Sequence, residues 1–169
     1  MKVRSGKRAF SLVELVIVVV IIGVIAAIAV PRISRGAKGA GESALRGSLA
    51  SLRNAIDMYS AEHGGAWPGN VSGVGDEPTL IRQLTEKTNF SGVSNVADSN
   101  FGPYLRRGFP PCPVGARTGN TGVILVNPIA VAEGSTGKGW IYNHTTGEII
   151  VNCDDPDDSG VPANTYDKY

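Results

Sequence analysis

FSLVELVIVVVIIGVIAAIAV, residues 10–30, decides how this chain is read: twenty-one residues, nearly all apolar, with one acid, Glu14. At about 1.5 Å per residue a helix of that length is roughly 31 Å long, enough to cross a hydrocarbon core. Lys2, Arg4, Lys7 and Arg8 precede the run, and Pro31-Arg32 follow it. An ionised carboxylate inside such a run costs a few kcal/mol, on the order of 3, so it calls for a function and a partner.

KRA-FSLVELVIVVVIIGVIAAIAVPR resembles the N-terminal cleavage and methylation segment of type IV pilins and type II secretion pseudopilins. The resemblance covers about the first third of the chain. It implies a cut between Ala9 and Phe10, N-methylation of the new Phe10 amine, and a filament-assembly role for Glu14, which becomes the fifth mature residue. The residue before the cut is usually Gly in that family; Ala9, the nearest in size, implies slower processing. Two plainer readings stand beside it. An ordinary secretory signal peptide has the same outline, with Ala27-Ile28-Ala29 as its cut site and Val30 as the mature start. A simple membrane anchor explains length and orientation. Neither accounts for Glu14.

Four segments follow: a cleaved leader (1–9), a transmembrane helix (10–31), a helical stem (32–63) and an α+β head (64–169). The formal charge of +1 and the near-zero mean hydropathy average unlike parts. Removing residues 1–9 removes four cations and no acids, which leaves the mature chain at −3. From Gly64 onward seven cations face eleven acids, which argues against nucleic acid as a partner. The basic leader and the apolar run place the N-terminus in the cytoplasm and the head outside; the resemblance implies a single pass through the bacterial inner membrane, with the head periplasmic or extracellular.

Cys112 and Cys153 both fall in the exported part, where one disulfide is expected; two free buried thiols are the alternative. Closing a loop of about 40 residues contributes roughly 3–4 kcal/mol. No CxxC is present, which argues against zinc.

Leu45, Leu49, Leu52, Ile56 and Tyr59 recur at spacings of four, three, four and three, a helical stripe one face wide. Arg46, Arg53 and Asp57 fall off the stripe as solvated positions. The helix is therefore expected to continue past Pro31 and to end at His63-Gly64-Gly65. Gly36, Gly39, Gly41 and Gly47 weaken its middle by roughly 1 kcal/mol each, so GAKGAGES is read as a flexible joint. It lacks the Gly-Lys-Ser/Thr ending of a phosphate loop. Residues 79–84 start a short amphipathic helix. Residues 122–127, 140–142 and 148–151 read as three antiparallel strands, the last two joined by a hairpin through Asn143–Gly147. The fold expected is α+β: a long N-terminal helix packed on a small antiparallel sheet. GWIYNHTTGEI also resembles hairpins near the ends of pseudopilin domains.

Asp154, Asp155, Asp157 and Asp158 lie within five residues, and Asp155, Asp157, Ser159 and Gly160 match the front half of a calcium loop. Tyr166 stands where the bidentate Glu belongs, and a solvated acidic turn is the alternative. No cofactor is otherwise called for. His63 and His144 sit at a helix end and in a turn, and no Ser/His/Asp or Cys/His set can be ordered, so the chain reads as non-enzymatic. The resemblance implies a pseudopilus subunit driving export by type II secretion. Its implied partners are copies of itself, a prepilin peptidase, other pseudopilins, an inner-membrane assembly platform and the membrane. A type IV pilin of a surface pilus (adhesion, motility or DNA uptake) is the alternative within the family. An exported soluble binding protein is the alternative outside it.

Overall fold

The structure, a computed structural model, describes residues 11–129, 137–157 and 165–169, with the side chains of 30–38 also left undescribed. The chain divides into two compact units, Met1–Ala37 and Lys38–Tyr169. Helix α1 runs Leu12–Glu62, through Pro31 and through Gly36, Gly39, Gly41 and Gly47. The expected continuation is present. The joint expected at GAKGAGES is helical in the structure, although the division between units falls inside it. Weak propensity lowers a helix's stability without dictating a break.

In the second unit the stripe does what its spacing requires. Leu45, Leu49, Leu52, Ile56 and Tyr59 are all buried and form one core with Leu80, Leu84, Val123, Trp140, Tyr142, Ile149 and Val151. Helix α1 ends where glycine allows it. Gly64 and Gly65 take positive φ, and the Gly65 N–H reaches back to the Ser60 carbonyl at 2.8 Å, so an otherwise orphaned carbonyl is paired. Two off-stripe residues are not merely solvated. Arg53 donates to the Tyr169 carbonyl at 2.8 Å, and the Arg46 guanidinium lies 4.9 Å above the Tyr169 ring.

A two-stranded hairpin, β1 (Asn70–Val71) with β2 (Val74–Gly75), leads into helix α2 (Glu77–Thr85). Asp76 caps α2 by accepting the Thr79 N–H at 3.0 Å, and Pro78 stands in the first turn, where its missing N–H costs nothing. Leu80 and Leu84 face the core from α2.

Strands β3 (Gly122–Val126), β4 (Lys138–Asn143) and β5 (Ile149–Val151) form the main sheet in that order. β4 and β5 are antiparallel, with Trp140 opposite Val151 and Tyr142 opposite Ile149. β3 runs parallel to β4, so the sheet is mixed and not the antiparallel sheet expected. The parallel pairing requires the chain to cross back to the start of the sheet between the two strands. Glu77 of α2 pins both strand starts: it accepts the Val123 N–H at 2.8 Å and pairs with Lys138. Central strand β4 buries consecutive residues, Trp140, Ile141 and Tyr142, as a strand covered on both faces must.

The hairpin turn is held by Asn143. Its Oδ1 accepts from the Thr145 N–H at 2.9 Å and from the Thr145 hydroxyl at 2.6 Å, and its carbonyl accepts the Gly147 N–H at 2.9 Å. Gly147 has φ 78°, and a Cβ there would overlap the Trp67 ring. That position needs glycine on both counts.

Candidate assembly segment

The functional candidates lie in three places: the apolar half of α1, the acidic segment and the cysteine pair. Within the first unit, Leu12–Ala29 is long and apolar enough to cross a membrane. Its large side chains, from Leu12 to Ile28, are each 47–77% exposed. Among the described residues of the unit, nothing covers them. A soluble helix that is apolar all round would have to be buried, so this one suits lipid or other apolar helices.

Glu14 sits in the first turn of that helix. Its Oε2 accepts the Ser11 N–H at 3.1 Å. Ser11-Leu12-Val13-Glu14 has the Ser-x-x-Glu spacing of a capping box, in which the acid three residues into the helix reaches back to the cap's N–H. A carboxylate at that end also meets the positive pole of the helix dipole. Glu14, a lone acid in an apolar run that calls for an outside partner, thus has a local one as well, signalled by the Ser-x-x-Glu spacing. Ala9 and Phe10, the expected cut site, lie outside the described residues.

The acidic segment is partly committed to other work. Asp155 Oδ2 accepts the Ala116 N–H at 3.0 Å and the Cys153 thiol at 3.3 Å. Asp157 Oδ2 accepts the Tyr169 hydroxyl at 3.1 Å. Asp154 is exposed, and Asp158 lies outside the described residues. Among the described residues, no three His, Cys, Asp or Glu side chains are gathered as metal ligands would be.

Cys112 and Cys153 are both buried and both free thiols; the expected bridge is not formed in the structure. Cys112 donates to the Val114 carbonyl at 3.4 Å. Burial pushes the Cys153 thiol up to about 12, with neighbouring Asp155 adding to the shift, and burial also raises Cys112.

The two histidines have structural surroundings. His63 is buried at the end of α1, its ring stacked on Tyr59 at 3.8 Å. Nδ1 lies 2.8 Å from the Tyr59 carbonyl, so it carries the proton, and Nε2 accepts from Thr88 Oγ1 at 3.0 Å. His144 packs under the β1–β2 hairpin, where Gly75 leaves room for its ring. An open cleft of about 610 Å³ is lined by Ala44, Gly47, Ser48 and Ser51 of α1 and by a loop carrying Arg106 and Arg107. Its serines have no histidine or carboxylate among the lining residues to act as a base.

An apolar helix exposed along its length, a capped acid in its first turn and an α+β head are consistent with a pilin-like fold, and the helix fits a single-pass membrane anchor. Residues 4–30 match the family model described as the prokaryotic N-terminal methylation motif, so this chain carries the prepilin-type cleavage and methylation segment of type IV pilin-like proteins. No curated protein and no solved structure matches the chain.

Proposed function

We propose that this chain is a structural subunit of a pseudopilus anchored in the bacterial inner membrane, which drives protein export by type II secretion. The observation that carries the filament reading is the methylation motif at residues 4–30, with Glu14 in the first turn of an uncovered apolar helix. In this reading a prepilin peptidase cuts between Ala9 and Phe10, and the Phe10 amine is methylated. The N-terminus stays cytoplasmic and the head lies outside. The hairpin of β4 and β5, with Gly139-Trp140-Ile141-Tyr142 on its first strand, favours the pseudopilus over a long surface pilus by its resemblance to pseudopilin hairpins.

Assembly follows from the energetics of the helix. Apolar side chains supply the contact area between subunits. The Phe10 amine of one subunit pairs with Glu14 of the next and sets axial register, because a charge pair in a low-dielectric setting is favourable only when its geometry is good. The Ser11 N–H satisfies one Glu14 oxygen while the subunit waits in the bilayer, which leaves the other oxygen to receive the neighbour.

N-terminal mass spectrometry of the protein purified from membranes tests the reading. The expected terminus is methylated Phe10. A terminus at Val30 would overturn the filament reading in favour of a soluble exported protein. Loss of export without loss of surface pili in a deletion strain supports the pseudopilus; the reverse result supports the pilus.

A further inference from the structure

We propose that the open cleft between α1 and the loop carrying Arg106 and Arg107 receives the acidic segment around Asp154 of a second copy of this chain. Arg106 and Arg107 are both exposed, and neither guanidinium has a hydrogen bond or ion pair with another described residue. The loop holds the pair in place. Leu105 and Phe109 are buried on either side of it. The Tyr104 and Leu105 N–H groups both reach the Leu84 carbonyl, at 3.0 and 2.8 Å, and the Pro110 carbonyl accepts the Trp140 indole N–H at 2.8 Å. Two adjacent cations on a loop anchored at both ends form a fixed basic edge, which an anionic partner meets without first ordering the loop.

The facing wall is made of small side chains. Ala44, Gly47, Ser48 and Ser51 line the cleft from α1, and a Cβ on Gly47 would meet nothing within 4 Å. Glycine inside a helix costs roughly 1 kcal/mol relative to Ala, and no described neighbour crowds this one. What it leaves is space for a chain from outside to approach the α1 backbone. The Ser48 and Ser51 hydroxyls are donors that suit a carboxylate seated beside the arginines.

The occupant follows from charge and from its place on the head. Asp154 is exposed, and the half-buried Asp155 and Asp157 follow it closely. Asp157 accepts the Tyr169 hydroxyl at 3.1 Å, and Tyr169 in turn meets Arg46 and Arg53 of α1. At about 100° per residue, Arg46 and Arg53 lie on one flank of α1 and the cleft-lining residues on the other, roughly 160° around the helix, with the buried stripe between them. The acidic and basic edges therefore flank α1 on opposite sides, a placement that suits pairing between copies rather than within one. A patch that fits a different patch on the next copy makes a head-to-tail contact, which repeats into an open array unless its rotation closes a ring. The inference rests on the filament reading for its setting and adds to it a contact between heads, separate from the pair made by Glu14.

The full chain is purified in detergent as Arg107→Lys, which keeps the charge and supplies an amine for carbodiimide coupling to a carboxylate in contact. Isotope-labelled and unlabelled copies are mixed, coupled and peptide-mapped. The expected product is an amide link between position 107 of one copy and Asp154, Asp155 or Asp157 of another, in pairs of mixed label. Links within one copy, links to other carboxylates, or none would overturn the contact. In membranes, Arg107→Asp is expected to lower fibre yield, measured against inserted protein, at least ~10-fold. Adding Asp154→Arg to it is expected to recover at least ~3-fold of that loss. Gly47→Leu fills the cleft and is expected to lower fibre yield without lowering the melting temperature. Parent-level fibres in Arg107→Asp or in Gly47→Leu, or no recovery with Asp154→Arg, would overturn the contact. Loss of co-purifying anionic phospholipid from Arg107→Asp, with fibres unchanged, would assign the cleft to lipid instead. A mature terminus at Val30 with the link at position 107 formed would count against the filament reading alone; a methylated Phe10 without the link would count against this contact alone.

Discussion

Replacing Glu14 by Gln and by Ala separates its local role from its role between subunits. The Ser11 N–H is held by Glu14 Oε2 at 3.1 Å. Gln keeps an oxygen on a side chain of the same length, so the Ser11 N–H retains its acceptor and only the charge is lost. Ala loses both. The local bond is worth about 1 kcal/mol. A charge pair with a neighbour's amine, in an environment that excludes water, is worth more, on the order of 2 kcal/mol, which is roughly a 30-fold change in association. Neither change hinders insertion, since removing a carboxylate lowers the cost of entering lipid. Both variants are therefore expected in the membrane at normal levels, with crosslinked neighbours and sheared fibres reduced at least ~10-fold. Crosslinking of subunits in isolated membranes, quantified against inserted protein, reads this directly. If Glu14→Gln assembles like the parent chain while Glu14→Ala does not, Glu14 is a helix cap and the register role is refuted.

Leu52→Ala empties a fully buried position on the stripe of α1 and is expected to cost about 2–5 kcal/mol; calorimetry showing a loss below 1 would contradict the packing described. Gly147→Ala combines an unfavourable positive φ with overlap on Trp67 and is expected to cost roughly 2–4 kcal/mol in denaturant unfolding. Asp76 is held below the usual carboxylate range by its hydrogen bonds to Thr79. Because the folded state lowers its pKa, its contribution is present above the unfolded value of about 3.9 and is lost as pH falls through the folded one. Asp76→Ala should flatten the acid limb of the melting profile, and an unchanged limb would deny the cap. A calcium loop at Asp154–Asp158 predicts a melting temperature that falls with chelator in the parent chain and not in Asp157→Asn. Asp155 and Asp157 already accept from Ala116 and Tyr169, bonds with which the ion would compete; an unchanged value rejects the loop.

The apolar half of α1, the helical stripe and the end of α1 were all legible in the sequence, because each rests on neighbours within a few residues. Hydropathy sums along the run from Phe10 to Val30. The stripe from Leu45 to Tyr59 shows its own period, and a Gly pair after His63 admits the positive φ that ends a helix. The α2 and β4–β5 signals were local in the same way. Glu14's cap is equally local, in the Ser11–Glu14 spacing, and hydropathy does not register it.

What tertiary structure alone decided is pairing across distance. The direction of β3 against β4 depends on where the chain returns to the sheet, and residues 122–126 read the same in either direction. Arg53 and Arg46 look like solvated positions by period, and only the fold brings Tyr169 to them. Asp155 and Asp157 look like free carboxylates until the 112–120 loop and Tyr169 are packed beside them. Cys112 and Cys153 are two residues of one type in a sequence; the turn at Val114-Gly115 makes them neighbours. Periodicity and hydropathy report the environment of a residue, not the identity of the residue it meets, and that identity is set by the closing of the chain around its core.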